Sequence, residues 1–389
     1  MLISVFFMPL TVIACFVTLN QHSWIQFVYY ILTGALFWVS YSVFYIPYTA
    51  LGAEIAVDYD DRTRLRSVTR IFSISGTFLA NVCPLLAIGF FMNYGMAEEH
   101  SWLLFSAIMS IIIAAGIFLS WNYTRGTEKE FIDNGQKKES FFLVFKDFYQ
   151  LIKLKSMAIL IALKLIYMFG FTLYTSGMMF FLAYRIGLDG SLTSSVYLIS
   201  IVVSVFYTPL ISFIALKSGK KSLVLGSLCL SGIAGLGLYI LGVDNYLLAV
   251  LYVAVYTYGQ SAFWQIINAM FYDVAEVDEY INGKRREGEI IAFQSIVGTF
   301  CASLGMQAIG ILLKIAGFNA DLTVQSESSL TMLENIFVLY PSSVSIVAAL
   351  LLIAYPVTKK RFVSLQKALA LKSEGKSYDI YLDDIKKLN

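Results

Sequence analysis

The chain has 389 residues, of which 58% are hydrophobic and 14% charged, and its formal net charge is +2. A mean hydropathy of +0.72 lies outside the range of soluble globular chains, and apolar runs long enough to cross a bilayer exclude a soluble multidomain protein. Four cysteines placed singly without a CxxC pair, and only two histidines, His22 and His100, exclude a redox or Cys/His metal centre.

Ten helical spans are expected, at about 2–19, 24–52, 69–94, 101–122, 157–184, 191–216, 222–241, 245–272, 288–316 and 331–357. The first has no basic leader and no small-residue cleavage site, so it reads as a span and not a signal peptide. The short alternating segments of an outer-membrane barrel are absent. The fold class is therefore an all-α polytopic membrane protein.

Basic residues follow the even-numbered spans. Arg62, Arg64, Arg66 and Arg70 come after the second, and Arg125 through Lys155 after the fourth. Lys217, Lys220 and Lys221 follow the sixth, and Lys284, Arg285 and Arg286 the eighth. The segment after the tenth runs from Lys359 to Lys387. These stretches hold 25 of the 28 basic residues. The positive-inside rule places all five in the cytoplasm, with the C-terminus there too, in a cell (plasma) membrane.

The longest polar connection divides the chain. The expected organisation is a four-helix bundle at about 1–122, a cytoplasmic linker at 123–156, a six-helix bundle at 157–357 and a cytoplasmic tail at 358–389. Within the linker, "FFLVFKDFYQLIKLK" sets Phe141, Phe145, Phe148 and Ile152 on one side and lysines on the other. That pattern predicts a helix lying on the membrane surface.

Several intramembrane positions invite a ligand. Trp38, Tyr41, Tyr45 and Tyr48 share a helical face. Such rings stack on the CH-rich faces of sugars, or simply pack helices together. Pro47 is expected to kink the same helix. Gln260, Trp264 and Asn268, spaced by four, form a polar and aromatic stripe flanked by Tyr258 and Gln265. Tyr174 and Thr175 are further lining candidates, as is Asn81. Lys164 is the deepest basic residue, and its long stem predicts snorkelling to the cytoplasmic headgroups. Gly170, Gly177, Gly298, Gly305 and Gly310 are expected at close helix approaches.

Two charged stretches echo each other. "GAEIAVDYDDRTRLRS" (52–67) and "DVAEVDEYINGKRREG" (273–288) each run from acidic to basic at the cytoplasmic end of a helix. In context, "YIPYTALGAEIAVDYDDRTRLRSVTRIFSISG" (45–76) and "AMFYDVAEVDEYINGKRREGEIIAFQS" (269–295) resemble the signatures of the glycoside–pentoside–hexuronide:cation symporters. That family is the melibiose-carrier-like branch of the major facilitator superfamily.

The resemblance implies major-facilitator-type bundles built from the family's helices three to twelve, with the first two helices not in this chain. It implies sugar or glycoside symport with Na⁺ or H⁺ by alternating access. The usual acidic cation ligands belong to the absent helices, so no cofactor or metal site is assigned. Arg70 matches an arginine that faces the sugar. The family often carries an acid at the place of Tyr45 and a lysine at the place of Thr299, and neither charge is present. Asp58 and Asp61 are expected to meet Arg285 or Arg286, and Glu276 and Asp278 to meet Arg62 or Arg64, as a cytoplasmic gate. The other readings are a lipid or amphiphile carrier of the same fold, or a non-transporting membrane sensor or scaffold. An enzyme is not expected, since no HExxH or nucleophile elbow occurs, and no nucleic-acid partner is expected.

Overall fold

The structure, a computed structural model, describes residues 2–19, 23–55, 72–73, 75–126, 148–283, 286–320, 322, 324–373, 377, 379–381 and 384. Among them nine helices are long and apolar enough to cross a membrane, and a tenth apolar helix is shorter. The chain forms two compact units, Met1–Gln136 and Lys137–Asn389.

In the first unit, α1 (Leu2–Cys15) packs on α2 (Ser23–Ile55) and on α4 (Glu98–Thr124). The span Ser75–Asn93 ends in α3 (Cys83–Asn93), which packs on α4. The first predicted span ends early, at Cys15, and side chains of α2 explain why. Tyr29 donates to the Ala14 carbonyl at 2.8 Å, Tyr30 to Val17 at 3.2 Å and Gln26 to Leu19 at 2.5 Å. These donors satisfy carbonyls that would otherwise need further helical turns. Ser110 on α4 donates to the Pro9 carbonyl at 3.1 Å and ties α4 to α1. Pro47 lies inside α2, which remains one helix of 33 residues.

The second unit contains α5 (Lys155–Phe180), α6 (Gly190–Ser218), α7 (Lys220–Leu241), α8 (Tyr246–Asn282) and α9 (Glu287–Ile315). α10 (Glu327–Glu334) leads through a π-helical turn, Asn335–Leu339, into α11 (Tyr340–Ile353). α12 (Lys359–Ser373) follows. Helix starts are capped as their sequences suggest. Asp189 accepts from the Leu192 amide at 2.7 Å and Asn245 from the Leu248 amide at 3.0 Å.

α8 is the axis of this unit. It packs on α5, α6, α7, α9 and α12, while α5 also meets α9 and α11. Tyr167 of α5 stacks on Phe263 of α8 with ring centroids 3.8 Å apart. Small residues permit the close crossings. A Cβ on Gly170 would sit 2.6 Å from Val344, and one on Gly305 would sit 2.7 Å from Thr172. Gly310 is different: nothing lies within 4 Å of its missing Cβ. The expectation of a close approach at Gly310 is therefore corrected, because that face of α9 has no neighbour there.

Two predicted peripheral segments join the core of the second unit. Residues 141–147 lie outside the described residues, but Phe148 and Leu151 are buried and Phe148 stacks on Phe293 at 4.6 Å. Ile152, predicted to share the face of Phe148, is exposed. In the tail, Leu365 and Ala368 of α12 are fully buried against the same core. Lys359 donates to the Leu216 carbonyl at 2.6 Å, which fixes the start of α12 to the end of α6. Tyr355, between α11 and α12, is buried. Burial, reinforced by the negative charge of Asp273, pushes its phenol well above the usual range, so it stays neutral.

Candidate functional site

In the first unit, α2 presents an aromatic ladder. Trp38 meets Tyr41 edge-on at 5.8 Å, and Tyr41 stacks on Tyr45 at 5.2 Å with planes 15° apart. Tyr48 leaves the ladder and stacks on Phe44 at 5.3 Å. The rings are open to the surroundings of the unit: Trp38 is 61% exposed and Tyr45 46%. A groove of about 560 Å³ is lined by Trp38, Val39, Ser42, Val43 and Pro47. Asn81 is exposed and donates to the Thr77 carbonyl one turn back, at 3.0 Å. Arg70 lies outside the described residues.

In the second unit, the predicted stripe on α8 divides in use. Trp264 is half-buried, with its ring edge-on to Phe171 at 5.5 Å and to Phe263 at 5.9 Å. The Gln260 Oε1 is buried and has no hydrogen-bond partner among the described residues. An unfilled acceptor in an apolar bundle calls for a donor from water or a ligand. Asn268 is exposed and accepts from Gln294 Nε2 at 3.3 Å. The flanking Gln265 is engaged by α6, donating to Ser212 Oγ at 2.7 Å.

Tyr174 is not presented to any open face. Its ring is 3% exposed and sits in an aromatic core, stacked on Tyr256 at 4.1 Å and on Phe337 at 5.3 Å. Its expected lining role is therefore corrected to packing, since the rings of Tyr252, Tyr256 and Phe337 occupy the space a ligand would need. Thr299 is exposed on α9 and donates to the Ser295 carbonyl at 3.1 Å.

Lys164 also departs from expectation. It is 6% exposed, and its ammonium points inward and not along the stem's route to headgroups. It donates to Gln294 Oε1 at 2.8 Å and lies 5.7 Å from the centre of the Phe271 ring. Gly298 makes this possible, because a Cβ there would stand 3.2 Å from Lys164 Cε. Gln294 went unnoticed in the sequence. Its signal was an amide set within a largely apolar helix, one of two on α9 with Gln307.

Of the expected gate, Asp58, Asp61, Arg62, Arg64 and Arg285 lie outside the described residues. Two members from the second unit find each other. Arg286 donates in bidentate fashion to Asp278, from Nε at 2.8 Å and Nη2 at 2.7 Å. Both side chains are at least nine-tenths buried. Asn282 adds a bond to Asp278 at 2.6 Å, and Arg286 Nη1 reaches Gln150 at 3.1 Å. Gly283 closes α8 with φ 69°, a left-handed turn that brings the chain back over Asp278. In this structure the pair is therefore an internal clamp of the second unit. Glu276 accepts from Gln366 of α12 at 3.4 Å.

A second charged cluster lies at the start of α7. Lys220 binds Asp273 at 2.6 Å and 2.8 Å, and Lys221 donates to the Ile353 and Tyr355 carbonyls. With Lys359 and Phe362 these groups line a cavity of about 200 Å³. Among the described residues no three His, Cys, Asp or Glu side chains group as metal ligands do.

Comparison with known proteins bears on what such an arrangement serves. Residues 1–359 match the family described as MFS/sugar transport protein. The isoprimeverose transporter of Lactiplantibacillus pentosus is 24% identical over 354 residues, covering 89% of this chain and 71% of that protein. The glucuronide carrier protein homolog of Escherichia coli K12 is 23% identical over 340 residues, covering 86% and 71%. Among solved structures, the E. coli fucose:proton symporter superposes with a TM-score of 0.50 at 11% identity, over 90% of this chain and 82% of that one. At that identity the likeness speaks for the fold alone.

Proposed function

The chain belongs to the MFS/sugar transport family, and on that premise we propose that it is a secondary active carrier moving a sugar or glycoside together with Na⁺ or H⁺ by alternating access. It is a multi-pass membrane transporter and not an enzyme. The observation that carries the finer reading is the extent of the match, residues 1–359, which spans both compact units. The similarity to the isoprimeverose transporter supports a small sugar as the cargo.

The residues offered to that cargo are Trp38, Tyr41 and Tyr45 from α2, and Gln260, Trp264 and Asn268 from α8. Rings supply apolar stacking surface and the amides supply hydrogen bonds, which is what a polyhydroxylated ring needs. Arg70 joins this set on the strength of the resemblance. We place it in the cell membrane with the C-terminus cytoplasmic, an orientation that the distribution of basic residues supports.

The test is uptake into proteoliposomes. Labelled isoprimeverose and simple pentoses should accumulate above equilibrium under an imposed Na⁺ or H⁺ gradient, and an ionophore that collapses the gradient should abolish the excess. Uptake no faster than in protein-free vesicles under either gradient would overturn the proposal. Movement of a labelled lysolipid but no sugar would replace it with the amphiphile reading.

A further inference from the structure

Three membrane-spanning helices end at one place in the second unit. α6 finishes at Ser218, α7 begins at Lys220 and α11 finishes at Ile353. The cavity of about 200 Å³ described above lies among these ends and the start of α12. Its depth is therefore that of lipid headgroups, where hydrocarbon gives way to water.

The cavity carries an excess of positive charge. Lys220, Lys221 and Lys359 line it, against the carboxylate of Asp273. Lys220 is neutralised: both Asp273 oxygens accept from its ammonium, and the Ala269 carbonyl lies 3.4 Å away. The other two lysines donate to neutral groups. Lys221 donates to the Ile353 and Tyr355 carbonyls at 2.8 and 2.6 Å, and Lys359 to the Leu216 carbonyl at 2.6 Å. These bonds cap the ends of α11 and α6, a structural task that accounts for where the side chains lie. They do not cancel the charges. An ammonium has three donors, so one stays open on Lys221 and two on Lys359. Among the described residues neither lysine forms an ion pair.

The rim of the cavity is apolar. Leu216, which lines it, is 77% exposed, and Phe213 on α6 and Ile353 at the end of α11 are exposed as well. Phe362 forms another part of the wall, with the Lys220 ammonium 5.4 Å from its ring centre. At the end of a membrane span such side chains call for acyl chains. One kind of molecule meets both halves of this description. A phosphate accepts from the open ammonium donors while its attached chains cover Phe213, Leu216 and Ile353. A free anion would satisfy the first half alone, and a neutral lipid the second.

We propose that this cavity binds an anionic phospholipid, whose phosphate is held by Lys221 and Lys359 and whose acyl chains run along the exposed ends of α6 and α11. In the orientation proposed above the lipid belongs to the cytoplasmic leaflet, whose surface is anionic. The site shares no residue with the sugar site and holds whatever the cargo is. Its occupant joins the end of α6 to the end of α11 and the start of α12.

The experiment offers the purified full chain equal amounts of dioleoylphosphatidylglycerol and dioleoylphosphatidylcholine and counts retained lipid by native mass spectrometry. The wild-type chain should prefer phosphatidylglycerol. Lys359→Gln should lower that preference about fivefold and the double variant Lys221→Gln, Lys359→Gln about twentyfold, the scale of one and two basic residues at a membrane surface. Lys359→Arg should keep it. Lys314→Gln, which removes an exposed lysine in the last turn of α9, is the control and should leave it unchanged. The wild-type chain supplies a second reading that no variant's folding can disturb: phosphatidylglycerol with a photoreactive acyl chain should label the ends of α6 and α11 around Phe213, Leu216 and Ile353. Equal retention of the two lipids, an unchanged preference in Lys359→Gln, an equal fall in Lys314→Gln, or labelling confined to other helices would overturn the inference. So would a thermal midpoint raised as much by inorganic phosphate as by phosphatidylglycerol, since the occupant would then be a free anion.

Discussion

The two longest helices among the described residues, α2 with 33 residues and α8 with 37, carry similar aromatic spacing and put it to different use. On α2 the rings of Trp38, Tyr41 and Tyr45 stack on one another along an open face. On α8 the rings of Tyr252, Tyr256 and Phe263 are buried among neighbouring helices, and several polar side chains are claimed by neighbours. Gln265 is held by Ser212, Asp273 by Lys220 and Asp278 by Arg286. Periodicity reports which side chains share a face. What the face meets depends on how many helices pack around it, and among the described residues of its own unit α8 is surrounded while α2 is not.

The sharpest way to break this contrast is at the end of α8. Arg286→Ala leaves Asp278 buried without its cation and should destabilise the second unit by about 3–5 kcal/mol, read as a large drop in the thermal midpoint of the purified protein. A midpoint close to wild type would mean that water reaches the clamp. Next in size is a contrast within α9. Gly305→Leu forces a side chain against Thr172 and should cost about 1–3 kcal/mol, whereas Gly310→Leu meets open space and should cost little.

On α2, Trp38→Ala should change stability by no more than about 0.5 kcal/mol, because the ring is 61% exposed, while sugar uptake falls. A midpoint shift as large as that of Arg286→Ala would erase the distinction between the two helices. The smallest effect is expected at Lys360, whose ammonium lies 3.8 Å from Asp384 and is largely solvated. Lys360→Ala should cost no more than about 0.2 kcal/mol, and less as salt is raised.

Much of the architecture was legible because lipid imposes long apolar helices. What escaped was long-range. The inward turn of Lys164 depends on Gly298 and Gln294, more than a hundred residues away in the chain, so the cheaper snorkelling reading prevailed. The clamp between Asp278 and Arg286 was visible as opposite charges, but the left-handed turn at Gly283 that joins them within one unit was not weighed. The α12 stripe of Phe362, Leu365 and Leu369 has helical spacing and was readable as a buried face. It was passed over because its flanking lysines marked the segment as tail. Tyr174 and Trp264 looked alike as aromatic candidates, and only the packing of Tyr256 and Phe337 separates them.

The π-helical turns at Phe181–Arg185 and Asn335–Leu339 carry a consequence of their own. They lie against each other, with Phe181 stacked on Phe337 at 4.9 Å, and Tyr252 donates to the Phe337 carbonyl at 2.9 Å. A π turn holds one residue more than an α turn needs. Expelling that residue would swing everything downstream by about 100° around the helix axis. The interlocked rings and the tyrosine bond therefore act as a register pin: they set which side of α11 faces α5 and α7.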